Sequence, residues 1–134
     1  MKAFIDSPLL IYLNTVASSG SRAVYEAFYV DLLAKHRLYT DVLVLDELIY
    51  ASKRKYGVPY EVTLEFIDAI VLPYVGILEL GGEEYEYAKK ILRQEPLKPS
   101  DALHAGAMLS NNIQLVVSED KEFDRIPSIR RMWI

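Results

Sequence analysis

Two kinds of hydrophobic pattern alternate along this chain. Short runs are apolar at nearly every position, as in strands that are covered on both faces of a sheet. In the segments between them, apolar residues recur every three or four positions, which is the spacing of an amphipathic helix. The continuous runs predict four strands, at Lys2–Ile5, Tyr74–Leu80, Ile113–Val117 and Ile129–Ile134.

Six helices are predicted between these strands, because capping or turn-forming residues flank each stretch of helical spacing. Ser7 and Pro8 form the predicted start of the first helix, Thr40 or Asp41 caps the third, and Ser100 caps the sixth. The other boundaries fall at residues that interrupt helices or favour turns: Gly20, Gly57, Pro59, Pro73, Gly81, Gly82, Asn111 and Asn112. The alternation predicts an α/β fold with a central, mostly parallel sheet flanked by helices.

Length and composition indicate one folded domain over residues 1–134. A chain of this length fits a single domain, and 51% hydrophobic with 25% charged residues can bury a core, which excludes a disordered chain. The absence of cysteine excludes disulfide frameworks, thiolate metal sites and cysteine nucleophiles. With only His36 and His104, a histidine-rich metal site is excluded as well.

The chain also carries no signal for a membrane or for export. No apolar run approaches the roughly 18–20 residues that a bilayer span needs. Asp6 and Pro8 interrupt the apolar N-terminal stretch and no small-residue cleavage site follows, so no signal peptide is predicted. We therefore expect a cytoplasmic protein.

The net charge of −4 bears on nucleic-acid binding. Fifteen basic against nineteen acidic residues disfavour a protein that coats nucleic acid through bulk electrostatics. An enzyme that acts on nucleic acid is still compatible with this charge, because four carboxylates gathered in a cation site would leave the rest of the chain neutral. The question is whether such a cluster exists.

Four acidic residues fall where a cation site could form. Asp6 directly follows the first strand, and Asp120 comes three residues after Val117, the end of a later strand. Asp101 lies at the start of the sixth helix, and Glu47 lies about two turns into the third. Ligands of open parallel sheets bind at the carboxyl ends of the strands. We therefore expect these side chains to meet at one edge of the sheet.

The chemistry of such a cluster follows from its charge. Taken singly, each acid could be a turn residue, a favourable charge at a helix start or part of a solvated loop. Together, carboxylates at short range repel one another, and a divalent cation removes that conflict. Oxygen ligands without histidine or cysteine select Mg²⁺ or Mn²⁺, which can activate water and neutralise charge on a phosphodiester. The cluster predicts hydrolytic phosphoryl chemistry.

Four stretches of the sequence resemble those of the PIN-domain nucleases: Phe4–Asp6, Leu45–Leu48, Ser100–Ala105 and Val117–Phe123. The resemblance covers essentially the whole chain in order, and the compact length is similar to that of the VapC-type toxins of toxin–antitoxin pairs. It implies a PIN-like three-layer sandwich and a Mg²⁺- or Mn²⁺-dependent endoribonuclease. It also implies a cognate antitoxin as partner and, together with the apolar surface and tyrosines, a homodimer.

The resemblance places the acidic quartet of the family on Asp6, Glu47, Asp101 and Asp120. It implies that Asp6 and Asp101 are the most direct cation ligands. Asp120 would be a further ligand, either directly or through water. Glu47 would orient or deprotonate the attacking water, and the hydroxyl of Ser118 would support the site.

The chain departs from the usual family pattern at three places. Ser7 stands where threonine is usual, and Pro8-Leu9 replaces the common Asn-Val. Ser118-Glu119 stands where Thr-Asn is more usual. Ser118 keeps a hydroxyl, so we expect it to make the supporting hydrogen bond. Glu119 adds negative charge near the site, which bears on the affinity for an RNA substrate rather than on the metal.

Several candidate roles and two other functions stay open. A packing role for His104 is favoured over contact with substrate, and Asp124 either assists the site or pairs with Lys121 or Arg125. A receiver-like signalling domain would use Mg²⁺ with a phospho-accepting aspartate, but it predicts an acid pair where Asp6 is followed by serine and proline. A non-catalytic binding module, whose acids only solvate the edge of the sheet, is the third possibility.

Overall fold

Five parallel strands form one sheet in the computed structural model, which describes residues 1–134. The strand order is β3-β2-β1-β4-β5, so that β1 lies in the centre. Phe4 of β1 pairs with Tyr39 of β2 on one side and with Val116 of β4 on the other. The strands are β1 (Lys2–Ile5), β2 (Arg37–Asp41), β3 (Val75–Leu78), β4 (Leu115–Val117) and β5 (Arg130–Met132).

Six α-helices cover the sheet in two layers. They are α1 (Ser7–Thr15), α2 (Ser19–Lys35), α3 (Val42–Tyr56), α4 (Tyr60–Phe66), α5 (Gly82–Gln94) and α6 (Pro99–Ser110). A π-helical turn, Ile67–Val71, extends α4, and a 3₁₀ turn, Lys121–Arg125, precedes β5. Helices α1–α4 contact one another, and α5 packs on α6. Because β1→β2→β3 and β3→β4 run in opposite directions across the sheet, right-handed connections place these layers on opposite faces.

The predicted three-layer α/β architecture is confirmed, and the core explains why β1 is continuously apolar. Ala3, Phe4 and Ile5 are fully buried, since helices cover both faces of the central strand. They belong to a cluster of 26 buried hydrophobic residues that includes side chains from all five strands or their flanks. None of the helices is long and apolar enough to cross a membrane.

The sequence interpretation was wrong at β2, which it did not predict. The segment Arg37–Asp41 has only two apolar side chains, and its last two residues are polar yet fully buried. Thr40 is satisfied by a distant residue that the local sequence does not reveal, and Asp41 is satisfied in part by capping α3. The Thr40 hydroxyl donates to the carbonyl oxygen of Ile5 at 2.8 Å, and Asp41 accepts the Val44 N–H at 3.0 Å. Because these two positions are polar, the apolar pattern that predicts a buried strand is absent, although β2 is buried beside β1.

Two predicted helix starts also shift. Asp6, and not Ser7, caps α1, because its carboxylate accepts the Ser7 N–H. Lys98 is the residue before α6, which begins at Pro99, so Ser100 lies inside the helix and Asp101 is its third residue. Asp41, one of the two proposed caps of α3, is confirmed.

The close approach of α5 and α6 depends on Gly106. A Cβ atom at this position would lie 2.6 Å from the backbone oxygen of Glu84 and 3.1 Å from the backbone nitrogen of Ala88. Glu84 itself caps the start of α5, because its carboxylate accepts the Gly81 N–H at 2.7 Å. This tight packing fixes α6, which carries Asp101, against α5 in the same layer.

Asp41 has two partners, and its loss should therefore be costly. Its Oδ1 caps α3 through Val44, and its Oδ2 pairs with Nδ1 of the buried His104 at 2.7 Å. We expect Asp41→Ala to lower the free energy of unfolding by about 2–4 kcal/mol, since it removes a cap and leaves a buried imidazole without its partner. Urea denaturation followed by circular dichroism measures this change.

The matched control is Ser18→Ala. Ser18 is also a helix N-cap, at α2, but its side chain makes no capping hydrogen bond. We expect that change to alter stability by less than about 0.5 kcal/mol. Equal effects of the two substitutions would contradict the role assigned to the Asp41 carboxylate.

Candidate active site

Asp6 lies at the carboxyl end of the central strand and is held there by three hydrogen-bonding groups. It is 4% exposed. Its Oδ1 accepts the Ser7 N–H at 2.9 Å, and its Oδ2 accepts the Ser118 hydroxyl at 2.6 Å. The N–H of Asp6 donates to the carbonyl oxygen of Val117, which ties the end of β1 to the end of β4. The carboxylate is therefore fixed in orientation before any ligand arrives.

Ser118 links two of the predicted site residues. It is fully buried directly after β4, and while its hydroxyl donates to Asp6 it accepts the Asp120 N–H at 3.0 Å. Asp120 in turn accepts the Glu122 N–H at 2.9 Å, which starts the 3₁₀ turn. A serine that donates on one side and accepts on the other fixes the position of Asp120 relative to Asp6.

Asp101 is the electrostatic focus of the site. It is 6% exposed, and its Oδ2 atom is buried without a hydrogen-bond partner. Burial, followed by the negative charges of Asp6 and Asp120, raises the pKa of Asp101 to about 7. A buried carboxylate oxygen without a donor, beside two further acids, is the environment that a hard cation satisfies. The donor set thus fits Mg²⁺ or Mn²⁺.

Glu47 approaches the same place from α3. Its Oε2 accepts the hydroxyl of Ser7 at 2.8 Å, so Ser7 contacts Asp6 through its backbone and Glu47 through its side chain. Glu47 is half-buried. The pKa of Asp6 is raised, mainly by burial and also by the negative charge of Glu47. The two carboxylates are therefore close enough to repel each other.

His104 is buried next to Asp6 and forms a hydrogen bond with a further acid, Asp41. One turn after Asp101 on α6, its Nδ1 pairs with Asp41, and its Nε2 lies 4.0 Å from Oδ1 of Asp6. Burial of the imidazole opposes protonation, but the bond to Asp41 and the nearby acids outweigh it and raise the pKa of His104. The residue is 1% exposed, so the expected packing role holds, but it also brings positive charge towards Asp6.

The four predicted acids therefore lie at one edge of the sheet, around the ends of β1 and β4 and the starts of α3 and α6. In the side-chain conformations of the structure, no group of three acids or histidines encloses a metal position. Asp124 belongs elsewhere, because it pairs with Arg131 at 3.0 Å and not with Lys121 or Arg125.

Sequence reasoning missed two contributors to this site. It interpreted Asp41 only as a cap, whereas the residue also holds His104. It assigned no contact in the site to Arg131, whose side chain joins Asp124 to the carbonyl oxygen of Ser118. Both contacts cross between strands or layers, and the only signal in the sequence was the position of His104 one turn after Asp101.

Solved structures with this architecture superpose on nearly the whole chain. VapC20 of Mycobacterium tuberculosis, described as a Sarcin-Ricin loop cleaving toxin, superposes with a TM-score of 0.74 at 16% identity, over 93% of this chain and 95% of that one. VapBC2 of Rickettsia felis, bound to a DNA fragment from the promoter, superposes with a TM-score of 0.73 at 20% identity, over 99% and 98% of the two chains. These likenesses confirm the fold.

Sequence comparison gives the family. A VapC ribonuclease of Mycobacterium bovis and ribonuclease VapC13 of Mycobacterium tuberculosis are each 29% identical to this chain over 132 residues, which is 96% of this chain and 97% of the relative. The family model of the PIN domain matches residues 3–129. The chain therefore belongs to the PIN domain family.

Proposed function

We propose that this chain is the ribonuclease toxin of a toxin–antitoxin pair. It would hydrolyse RNA phosphodiester bonds in the cytoplasm with Mg²⁺ or Mn²⁺ held by Asp6, Asp101 and Asp120. The observation that carries this proposal is the buried, unpartnered Oδ2 of Asp101 beside two further acids. The full-length similarity to proteins named VapC ribonucleases supports RNA as the substrate.

The residues of the chain divide the chemistry between them. A bound divalent cation would lower the pKa of a water molecule and neutralise charge on the phosphodiester. Ser118 and the Ser7 N–H hold Asp6 in a fixed orientation, and the ionised Asp101 would hold the cation together with Asp6 and Asp120. Glu47 accepts a proton from the attacking water at Oε1, since Oε2 already accepts the Ser7 hydroxyl.

Protein partners are part of the proposal. Exposed apolar side chains line α2 and the segment from α4 through its π-helical turn, including Val30, Val62, Leu64 and Ile70. A groove of about 460 Å³ between these elements is lined by mostly hydrophobic residues. We assign this apolar surface to a cognate antitoxin and to a second copy of the chain. The VapBC assemblies among the solved structures of the same fold support the antitoxin.

The strand order does not favour the receiver-like alternative. Receiver domains of the flavodoxin-like type have the order 2-1-3-4-5, with the first strand beside the third. Here β1 lies between β2 and β4, and β3 is at the edge. A phospho-accepting signalling function therefore gains no support from the fold.

Cleavage of a labelled RNA tests the proposal directly. We expect cleavage that requires Mg²⁺ or Mn²⁺ and stops when EDTA is added. Glu47→Gln should lower the single-turnover rate by about 10²- to 10⁴-fold, because the general base is lost. Calorimetric Mn²⁺ affinity should change far less, since Glu47 is not assigned as a ligand.

Asp46→Asn is the matched control for this experiment. Asp46 is exposed on α3 next to Glu47, so its substitution removes one negative charge without entering the site. Its cleavage rate should equal that of the wild type. Metal-independent cleavage, or a wild-type rate in Glu47→Gln, would overturn the assignment.

A further inference from the structure

A second concavity opens directly beside the acidic site. This α1–α3 cleft has a volume of about 160 Å³ and lies between α1, α3 and the loop after β4. Ser7 and Glu47, which are hydrogen-bonded to each other, both line it. Tyr12, Lys55, Tyr56 and Glu119 are among the other residues that line it. Whatever occupies this cleft lies next to the proposed general base.

The aromatic walls of the cleft are partly preorganised. Tyr12 is stacked on Tyr25 with the ring centroids 4.9 Å apart, and Trp133 contacts the same cluster at 6.3 Å. The Tyr12 hydroxyl donates a hydrogen bond to the Glu119 carboxylate. That bond, with burial, raises the pKa of Tyr12, and the hydroxyl of Tyr56 lies near enough to add to the shift. Tyr12 and Glu119 are thus fixed relative to each other.

Of the two tyrosines that line the cleft, Tyr56 is the one that the protein covers less. It is the last residue of α3 and is 50% exposed. Unpaired bases of RNA stack on exposed aromatic side chains of this kind, and each such stack contributes about 1–3 kcal/mol. The cleft therefore combines the volume of a small planar ligand with a surface on which it can stack.

The charges of the cleft select a base rather than a phosphate. Glu47 and Glu119 contribute two carboxylates against the single cation Lys55. A phosphate would be repelled by this excess of negative charge, whereas N–H donors would be attracted. The negatively charged phosphates of an RNA strand would instead lie towards Lys55 and the proposed cation.

The carboxylate of Glu119 also discriminates among the bases. Ionised, it offers about four lone-pair positions, of which the Tyr12 hydroxyl uses one. Guanine presents two adjacent donors, N1–H and N2–H₂, on its Watson–Crick edge. Adenine, cytosine and uracil present a donor beside at least one acceptor there, and that acceptor would face the carboxylate. Guanine is therefore the base that Glu119 can bind with two hydrogen bonds.

We propose that the α1–α3 cleft binds an unpaired guanine of the RNA substrate, with Glu119 accepting from its Watson–Crick edge and Tyr56 stacking on its ring. This inference rests on the proposed ribonuclease function. It adds which base of the RNA the protein recognises. Glu119 is the determinant of specificity, and the nucleotide in the cleft places the adjacent phosphodiester near Glu47. The negative charge at position 119 thus favours one class of RNA.

Binding without cleavage tests the cleft. The full chain in EDTA is titrated with the pentanucleotides UUGUU, UUAUU, UUCUU and UUUUU, and affinities are measured from NMR chemical shifts. We expect UUGUU to bind about tenfold more tightly than the others, the scale of a bidentate contact to one base. Glu119→Gln should reduce that preference to about twofold or less. Tyr56→Ala should weaken all four alike, by about tenfold.

Glu83→Gln is the charge control, because Glu83 is exposed on α5, which does not line the cleft. It should keep the full preference for guanine. Equal affinities for the four oligonucleotides, no saturable binding at millimolar concentration, or an undiminished preference in Glu119→Gln would each overturn the proposal. Guanine binding without RNA cleavage would contradict only the proposed ribonuclease function. Cleavage without a base preference would contradict only the proposed guanine specificity of the cleft.

Discussion

Asp101→Asn is expected to abolish RNA cleavage and, in the absence of metal, to make the protein more stable above pH 7. Asparagine has nearly the same shape as aspartate, but it carries no charge to hold a cation or to repel neighbouring acids. Burial and the charges of Asp6 and Asp120 already disfavour the ionised form of Asp101 in the metal-free protein. The side chain is therefore costly to the fold and is useful only when a cation neutralises it.

The two consequences are measured separately. The single-turnover cleavage rate should fall by at least about 10³-fold, the scale of losing one preorganised electrostatic group. The midpoint of thermal unfolding in EDTA at about pH 8 should rise by a few degrees. Asp68→Asn removes an exposed charge far from the site and serves as the control, with neither change expected. A destabilised Asp101→Asn protein would contradict the electrostatic cost assigned to this carboxylate.

The parts of the fold that could be predicted are those that have a local signature. Strands β1 and β4 are apolar at consecutive positions because helices cover both of their faces. Gly57 ends α3 in a left-handed conformation with φ of 70°, as a glycine after a helix predicts. Strand β2 could not be predicted in the same way, because Thr40 and Asp41 are buried against Ile5 and His104, which lie far from them in the sequence.

The acids of the site could be predicted from the sequence because of the sheet topology. Asp6 and Asp120 follow strands that pair in parallel, so the common direction of β1 and β4 brings both to one edge. The resemblance implied the supporting bond from Ser118, which donates to Asp6, but contacts of the residues around these acids were not accessible in this way. The pairing of Asp41 with His104 and the bond from Tyr12 to Glu119 depend on strand order and helix packing, which the spacing of residues does not determine.

The stability of the metal-free protein should fall as pH rises from about 4 to about 7. The folded pKa of Asp101, about 7, lies above its unfolded value of 3.8, so between these values the folded state binds more protons than the unfolded state. Its contribution to stability is therefore fully present below the unfolded pKa and is lost as pH rises through the folded one. The raised pKa of Asp6 acts in the same direction. The raised pKa of His104 extends the loss above the unfolded value of 6.5 for that residue.

A divalent cation should reverse this dependence, because it binds only the ionised site. Below about pH 7, Mn²⁺ must displace the proton of Asp101, so its apparent affinity should rise by up to about tenfold for each pH unit and then level off. Urea denaturation at several pH values, in EDTA and in Mn²⁺, measures both effects, and Asp101→Asn should make both pH dependences shallower, with Asp6 and His104 accounting for the remainder. Stability of the metal-free wild type that increases from pH 5 to pH 7 would contradict the raised pKa of Asp101. Under the proposed function, the acids that destabilise the metal-free protein are the groups whose charge would hold the cation.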